Sequence, residues 1–219
     1  MKKFIIIILI GFNLLLIHGQ NVKFGFLVSP EIKYRTITKA PFPEFRNFEN
    51  PGFGYSIGCF GIKNLTERKE LEFGLHYTNK GYRTAFFGVF GDQIDPIQGV
   101  IGEPTEIIIT DNYNFLCLPL KLNLLLSEKS YFTIGCQAEI LIDANSKVKE
   151  GNEKRKNKAE NIKPFNSSVS LGYGKVFYFN QFDLRLEPSF NFNIVNLYKS
   201  SLISEHLFNI GLNTKWVLN

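Results

Sequence analysis

Phe182–Ile194 alternates without a break between two kinds of side chain. Phe182, Leu184, Leu186, Pro188, Phe190, Phe192 and Ile194 fall on one face, and Asp183, Arg185, Glu187, Ser189, Asn191 and Asn193 on the other. A period of two belongs to a β-strand, whose successive side chains point to opposite faces. Strands of globular proteins usually run only about 5–6 residues. At ~3.3 Å per residue and a tilt of ~40°, this run rises roughly 33 Å, enough to cross the ~25 Å apolar band of a membrane barrel. A sequence that keeps one face apolar over that length has few folds open to it.

The pattern recurs along the chain. Leu71, Phe73, Leu75 and Tyr77 oppose Glu70, Glu72, Gly74, His76 and Thr78. Leu116, Leu118, Leu120, Leu122 and Leu124 oppose Cys117, Pro119, Lys121 and Asn123. Phe132, Ile134, Cys136, Ala138, Ile140 and Ile142 oppose Thr133, Gly135, Gln137 and Glu139. The first segment sets Phe24, Phe26, Val28, Ile32 and Tyr34 against Lys23, Gly25, Ser29, Glu31 and Lys33. The last sets Phe208, Ile210, Leu212, Trp216 and Leu218 against Asn209, Gly211, Asn213 and Lys215. Segments 53–63 and 167–179 are glycine-rich and weaker. The connections keep a beat, long near 35–52, 84–111 and 144–165, intermediate near 198–204, and tight at 64–68, 126–130 and 180–181. Long loops at one end and short turns at the other are the grammar of a membrane barrel. The expected fold is all-β, an up-and-down antiparallel transmembrane β-barrel of about eight strands. Periodicity alone leaves an inverted alternative open, an exported soluble barrel of lipocalin type with its apolar face inward around a small ligand.

Met1-Lys2-Lys3 precedes the apolar run Phe4–Ile17, and small Gly19 suits the position before a cut. This reads as a secretory signal peptide over 1–19, with a barrel domain over 20–219. The run is shorter than the ~20 residues a spanning helix needs. The formal net charge is +5, or +3 once Lys2 and Lys3 leave with the leader. No spread of basic residues suggests nucleic acid. Cys59, Cys117 and Cys136 are odd in number and lack CxxC spacing, so they read as small apolar residues inside strands.

The inward set carries both signs: Lys23, Glu31, Lys33, Glu70, Glu72, His76, Lys121, Glu139, Asp183, Arg185, Glu187 and Lys215. An eight-stranded barrel has room inside only for side chains, and an unpaired buried charge is very costly. These groups are therefore expected to pair as an interior polar network that fills the lumen. The stretch 147–163 is basic, with Lys147, Lys149, Lys154, Arg155, Lys156, Lys158 and Lys163. It reads as a solvated, mobile outer loop, with contact to lipopolysaccharide phosphates or an acidic surface polymer as the alternative. Ala85–Phe90 and Ile107–Ile109 are too apolar for a solvated loop and read as strands that continue past the membrane, where a free edge would suit a protein partner.

Glu72-Phe73-Gly74-Leu75-His76-Tyr77-Thr78-Asn79-Lys80-Gly81-Tyr82 and Phe115-Leu116-Cys117-Leu118-Pro119-Leu120 resemble strands of the small outer-membrane β-barrel family of Bacteroidota, the PorT-like group. The resemblance implies an up-and-down barrel with a periplasmic N-terminus, and no shared catalytic residues. The chain departs from that pattern at Asn123, where the family carries lysine, and in ending on Asn219 rather than an aromatic residue. Past the leader the histidines are His76 and His206. His76 points inward, where Ser29, Ser56 or Ser189 could approach it as in a rim-acting lipid hydrolase, but no spacing fixes such a pair. No metal-ligand spacing or phosphate loop occurs. The reading is therefore non-enzymatic, without cofactor or metal.

Overall fold

The computed structural model describes residues 22–39, 49–88, 94–95, 99–100, 105–151, 153–159, 161–199 and 204–218. The leader expected at 1–19 and the proline-bearing connection at 40–48 lie outside the described residues. Among the described residues there are twelve strands: β1 (Val22–Lys39), β2 (Glu49–Asn50), β3 (Gly52–Thr66), β4 (Lys69–Gly88), β5 (Ile94–Asp95), β6 (Gly99–Val100), β7 (Thr105–Ser127), β8 (Ser130–Glu150), β9 (Glu153–Lys158), β10 (Phe165–Tyr178), β11 (Phe182–Asn193) and β12 (Ser204–Leu218).

Eight of them close a ring. The order runs β10-β11-β12-β1-β3-β4-β7-β8, and pairing of β8 with β10 seals it. Every neighbouring pair is antiparallel. Closure matters because it leaves no unpaired strand edge around the wall. β2 adds to β4, β9 adds to β8, and β5 pairs with β6 apart from the ring. Two-residue turns at 67–68 and 128–129 and a three-residue link at 179–181 join strands at one end. These are the tight turns expected near 64–68, 126–130 and 180–181.

The faces run as the alternation predicts. Phe24, Phe26, Ile32, Ile57, Leu75, Leu120, Ile134, Ile142, Val169, Phe190, Ile210 and Leu212 stand exposed on the outer wall. Ser29, Glu31, Glu72, Lys121, Glu139, Arg185, Glu187 and Lys215 are buried inside. A soluble lipocalin-type barrel requires the opposite. Cys59 and Cys136 are exposed, Cys117 is buried, and all three are free thiols.

Two glycines show why no other residue fits. Gly81 has φ 146, and a Cβ there would sit 1.9 Å from the Asp111 carbonyl oxygen, a conformation that costs side-chain-bearing residues dearly. At Gly174 a Cβ would lie 2.1 Å from the Tyr131 ring, which crosses the lumen floor over that position. Pro119 lacks an N–H, and the β4–β7 register skips Gly74 and Leu75 opposite it, the break a proline imposes on an inner strand.

Two departures from the expected loops follow from pairing. Residues 144–165 were expected to be an irregular connection, but β8 continues to Glu150 and β9 folds back on it. Lysines are poor core residues yet their long stems tolerate a strand, so charge density gave no reason to reject one. At the other long connection, β4 and β7 do extend together as far as Gly88 and Thr105. The strand extension is thus as expected; the alternative of a free edge is closed at Ile107–Ile109, where β8 pairs through Val148–Glu150, and Val89 and Phe90 of the expected extension lie outside the described residues.

Candidate functional site

Of the twelve side chains expected inside the barrel, eleven are buried. Lys23 is the exception. Its side chain is 49% exposed at the turn end, where it still reaches Asp183 at 3.5 Å. β1 begins at Val22, so Lys23 stands at the rim rather than in the wall's depth.

The network is built in layers from the turn end upward. Leu27, Phe60, Ile62 and Val217 form an apolar floor. Beside it Arg185 grips Glu70 through both terminal nitrogens, at 2.5 and 3.0 Å, the fork geometry that makes such pairs strong. Lys215 then bridges Glu72 at 2.7 Å and Glu187 at 2.8 Å. Lys121 stands 3.7 Å and 3.9 Å from the same two carboxylates. Thr133 and Asn213 donate to Glu187 at 3.0 and 2.7 Å. Higher up, Glu31 accepts from Ser56 at 2.6 Å and from Asn209. Glu139 accepts from Lys80, Gln137, Ser168 and Asn193.

Lys80, like Asp111 and the Arg35–Glu205 pair, is a buried charge that sequence reasoning missed. Asn79-Lys80-Gly81 looks like a turn, yet Lys80 continues the inward parity of Glu70–Thr78 and is fully buried. Following that parity two residues further would have found it. Lys33 was expected in the ion-pair network. Its amine instead donates to the Asn79 and Asn112 side chains, at 2.8 and 2.9 Å.

The end opposite the tight turns is closed by apolar packing. Tyr82, Tyr113, Phe115, Cys117, Ala144, Ile162, Leu197 and Leu207 form one buried cluster. Ile162 and Leu197 come from the connections after β9 and β11, which fold back over the mouth. An Ile162–Tyr198 bridge joins them, with Lys163 donating to Leu197 and Lys199 to Asn161 through the backbone. Arg35 stacks over Tyr82 and pairs Glu205 at 3.0 Å. Within the lumen a void of ≈10 Å³ lies among Glu31, Ser56, His76, Lys121 and Asn209, about enough for one water.

His76 gains no nucleophile. Its Nε2 has no hydrogen-bond partner, Ser29 and Ser189 hydroxyls have none either, and Ser56 bonds Glu31 and Thr78. At the end opposite the tight turns Ser204 Oγ lies 3.3 Å from His206 Nε2, and His206 Nδ1 lies 3.0 Å from the Asn193 carbonyl. That contact follows from their i, i+2 spacing on β12; among the described residues no carboxylate bonds the ring. Among the described residues no group of three or more His, Cys, Asp or Glu is placed to hold a metal.

The seven basic residues of 147–163 do not act together. Lys147 and Lys149 lie on β8, Lys154, Arg155, Lys156 and Lys158 on β9, and Lys163 in the connection folded over the mouth. Arg155 pairs Glu153 at 2.8 Å, which raises the guanidinium pKa above its ordinary value. Lys147 stands directly opposite Lys156, and Lys149 opposite Lys154. Arg83 of β4 joins them through Thr110, the residue paired to both Arg83 and Lys147. An open groove of ≈620 Å³ is lined by Arg83, Ile108, Thr110, Lys147, Val148, Lys149, Lys154, Arg155 and Lys156, with no acidic residue among the described ones.

The ring, its outward apolar wall and its packed lumen define an all-β antiparallel barrel of eight strands. No family model matches the chain. No curated protein matches it by sequence. Among solved structures it is similar to Neisserial surface protein A, with 8% identity over 90% of this chain and 99% of that one, at a TM-score of 0.45. It is similar also to the outer membrane protease OmpT of Escherichia coli, with 7% identity over 91% and 96% and a TM-score of 0.43. Ail, the attachment invasion locus protein of Yersinia pestis, gives 6% over 90% and 99%, with a TM-score of 0.36.

Proposed function

We propose that the chain is an exported, integral outer-membrane barrel with its tight turns in the periplasm and its long hairpins outside the cell. It works as a structural, binding or assembly component through that outer surface, in contact with outer-membrane lipid and lipopolysaccharide. A protein partner at the outer hairpins fits the same reading. The observation that carries it is the pairing of an apolar outer wall with a charged, filled lumen. A wall of Phe, Leu and Ile facing water would be an aggregation hazard, whereas in lipid it is the required surface. The strand motifs at 72–82 and 115–120 support a place among the PorT-like small barrels. The leader at 1–19 supplies the route of export.

Transport through the lumen is disfavoured by the layers just described, since an ion would have to displace Lys215 from two carboxylates and pass an apolar cluster. In planar bilayers the purified barrel is expected to give no conductance steps above the bare membrane at 100 mV in 1 M KCl. Regular steps at protein concentrations that insert one barrel at a time would overturn the filled-lumen reading.

A further inference from the structure

The outer sheet holds an arrangement that costs stability unless something else meets it. Lys147 faces Lys156 and Lys149 faces Lys154 across β8 and β9, and like charges directly opposite each other repel. By strand alternation both pairs lie on one face with Arg83, while Glu150, Glu153 and Arg155 lie on the other. Among the described residues the acids that share the cationic face are Glu106, toward the strand tip, and Asp143, two rows below Lys147 and bonded to Asn145. Neither lines the groove.

That face continues the barrel's outer wall. On β7 the outward positions run Leu124, Leu122, Leu120, Leu118 and Leu116, then Asn114, Asn112 and Thr110. The cations therefore stand above the same wall whose lower part is apolar. From Leu116 to Thr110 is six residues, roughly 20 Å along a strand and about 15 Å in height at a tilt near 40°. Headgroups of ordinary phospholipids extend only about 5–8 Å beyond the hydrocarbon, too short to bring a phosphate there. A glycolipid with phosphates carried on an extended sugar head reaches that height while its acyl chains lie on the leucine wall.

We propose that Arg83, Lys147, Lys149, Lys154 and Lys156 form a binding face for the clustered phosphates of an outer-leaflet glycolipid. The inference rests on the outer-membrane reading above and names the ligand class for it. Bridging phosphates relieve both lysine pairs at once, and the apolar wall beneath gives the site its preference for a lipid over a free polyanion.

The test uses the full chain folded in detergent. Binding of purified lipopolysaccharide with a phosphorylated core is measured for wild type, for K147Q/K149Q/K154Q/K156Q, and for a control K69Q/K129Q at the turn end. Near-surface cations contribute about fivefold each, so the quadruple variant is expected to bind about six-hundredfold more weakly, with a flatter salt dependence. The control is expected to match wild type, and phosphatase-treated lipopolysaccharide to bind wild type as weakly as the quadruple variant binds the native ligand. Unchanged binding by the quadruple variant overturns the proposal, as does inorganic polyphosphate binding wild type as tightly as the glycolipid, which would assign the face to a soluble polyanion. Heat-modifiable gel migration of each variant separates these failures from failure of the barrel itself: if wild type shows no heat-shifted band, the outer-membrane reading falls first and this inference with it.

Discussion

Replacing Lys215 with methionine is expected to destabilise the barrel by about 3–5 kcal/mol, the usual result of removing one partner from a buried ion pair. Lys215 is fully buried and donates to Glu72 and Glu187 together. Its loss leaves two carboxylates in the lumen facing Lys121, which stands farther off from both. The cost comes less from the lost contact than from the charge left unpaired. A second change, Glu187→Gln, removes one of those charges, so K215M/E187Q is expected to recover part of the loss, and the two effects to be far from additive. Urea titration of refolded protein, followed by tryptophan fluorescence of Trp216, measures both. Equal stability of K215M and wild type would mean that the lumen is wet enough to solvate Glu72 and Glu187, and that the network does not fill it.

The second large effect is on the outer face. Leu120 stands at the middle of the leucine row of β7, exposed on the outer wall. Leu120→Arg is expected to cost about 2–4 kcal/mol in a lipid bilayer, as for cationic side chains at the midplane of membrane barrels. Thr110→Arg lies on the same face of the same strand above the apolar rows, and there the cost is expected to fall to about 0–1 kcal/mol. Folding yields and denaturant midpoints in vesicles read the difference. In a water-soluble barrel the order would vanish or reverse, because a surface arginine is better hydrated than a surface leucine.

Much of this arrangement was legible in the alternation. β11 spans Phe182–Asn193, and its Asp183, Arg185 and Glu187 are all buried, as the pattern of 182–194 requires. Period two states which residues share a face but not which face is inside; strand length and the two-signed charge of one face supplied that choice. The closed mouth was not legible. Ile162 is an isolated apolar residue in a polar connection and Leu197 lies past the end of the alternating run 182–194, and only the fold-back that bridges Ile162 to Tyr198 gives them a role. Nor was the cationic face. Lys147, Lys149, Lys154 and Lys156 read as a solvated run because the Gly151 turn that pairs them is a property of register, not of composition. Arg83 lies far from them in sequence and joins only through β7.

The chain carries its own probes for the claim that its outer wall stands in lipid. Cys59 and Cys136 are free and exposed on that wall, in rows with Leu75 and Leu120, while Cys117 is buried in the lumen. The measurement is labelling of native outer-membrane vesicles with a membrane-impermeant polymer maleimide, counted by gel shift before and after denaturation. Protection of all three thiols in intact vesicles, followed by three shifts once unfolded, is the result expected of a barrel embedded in lipid. Rapid labelling of Cys59 and Cys136 in the folded protein would place the apolar wall in water and contradict it.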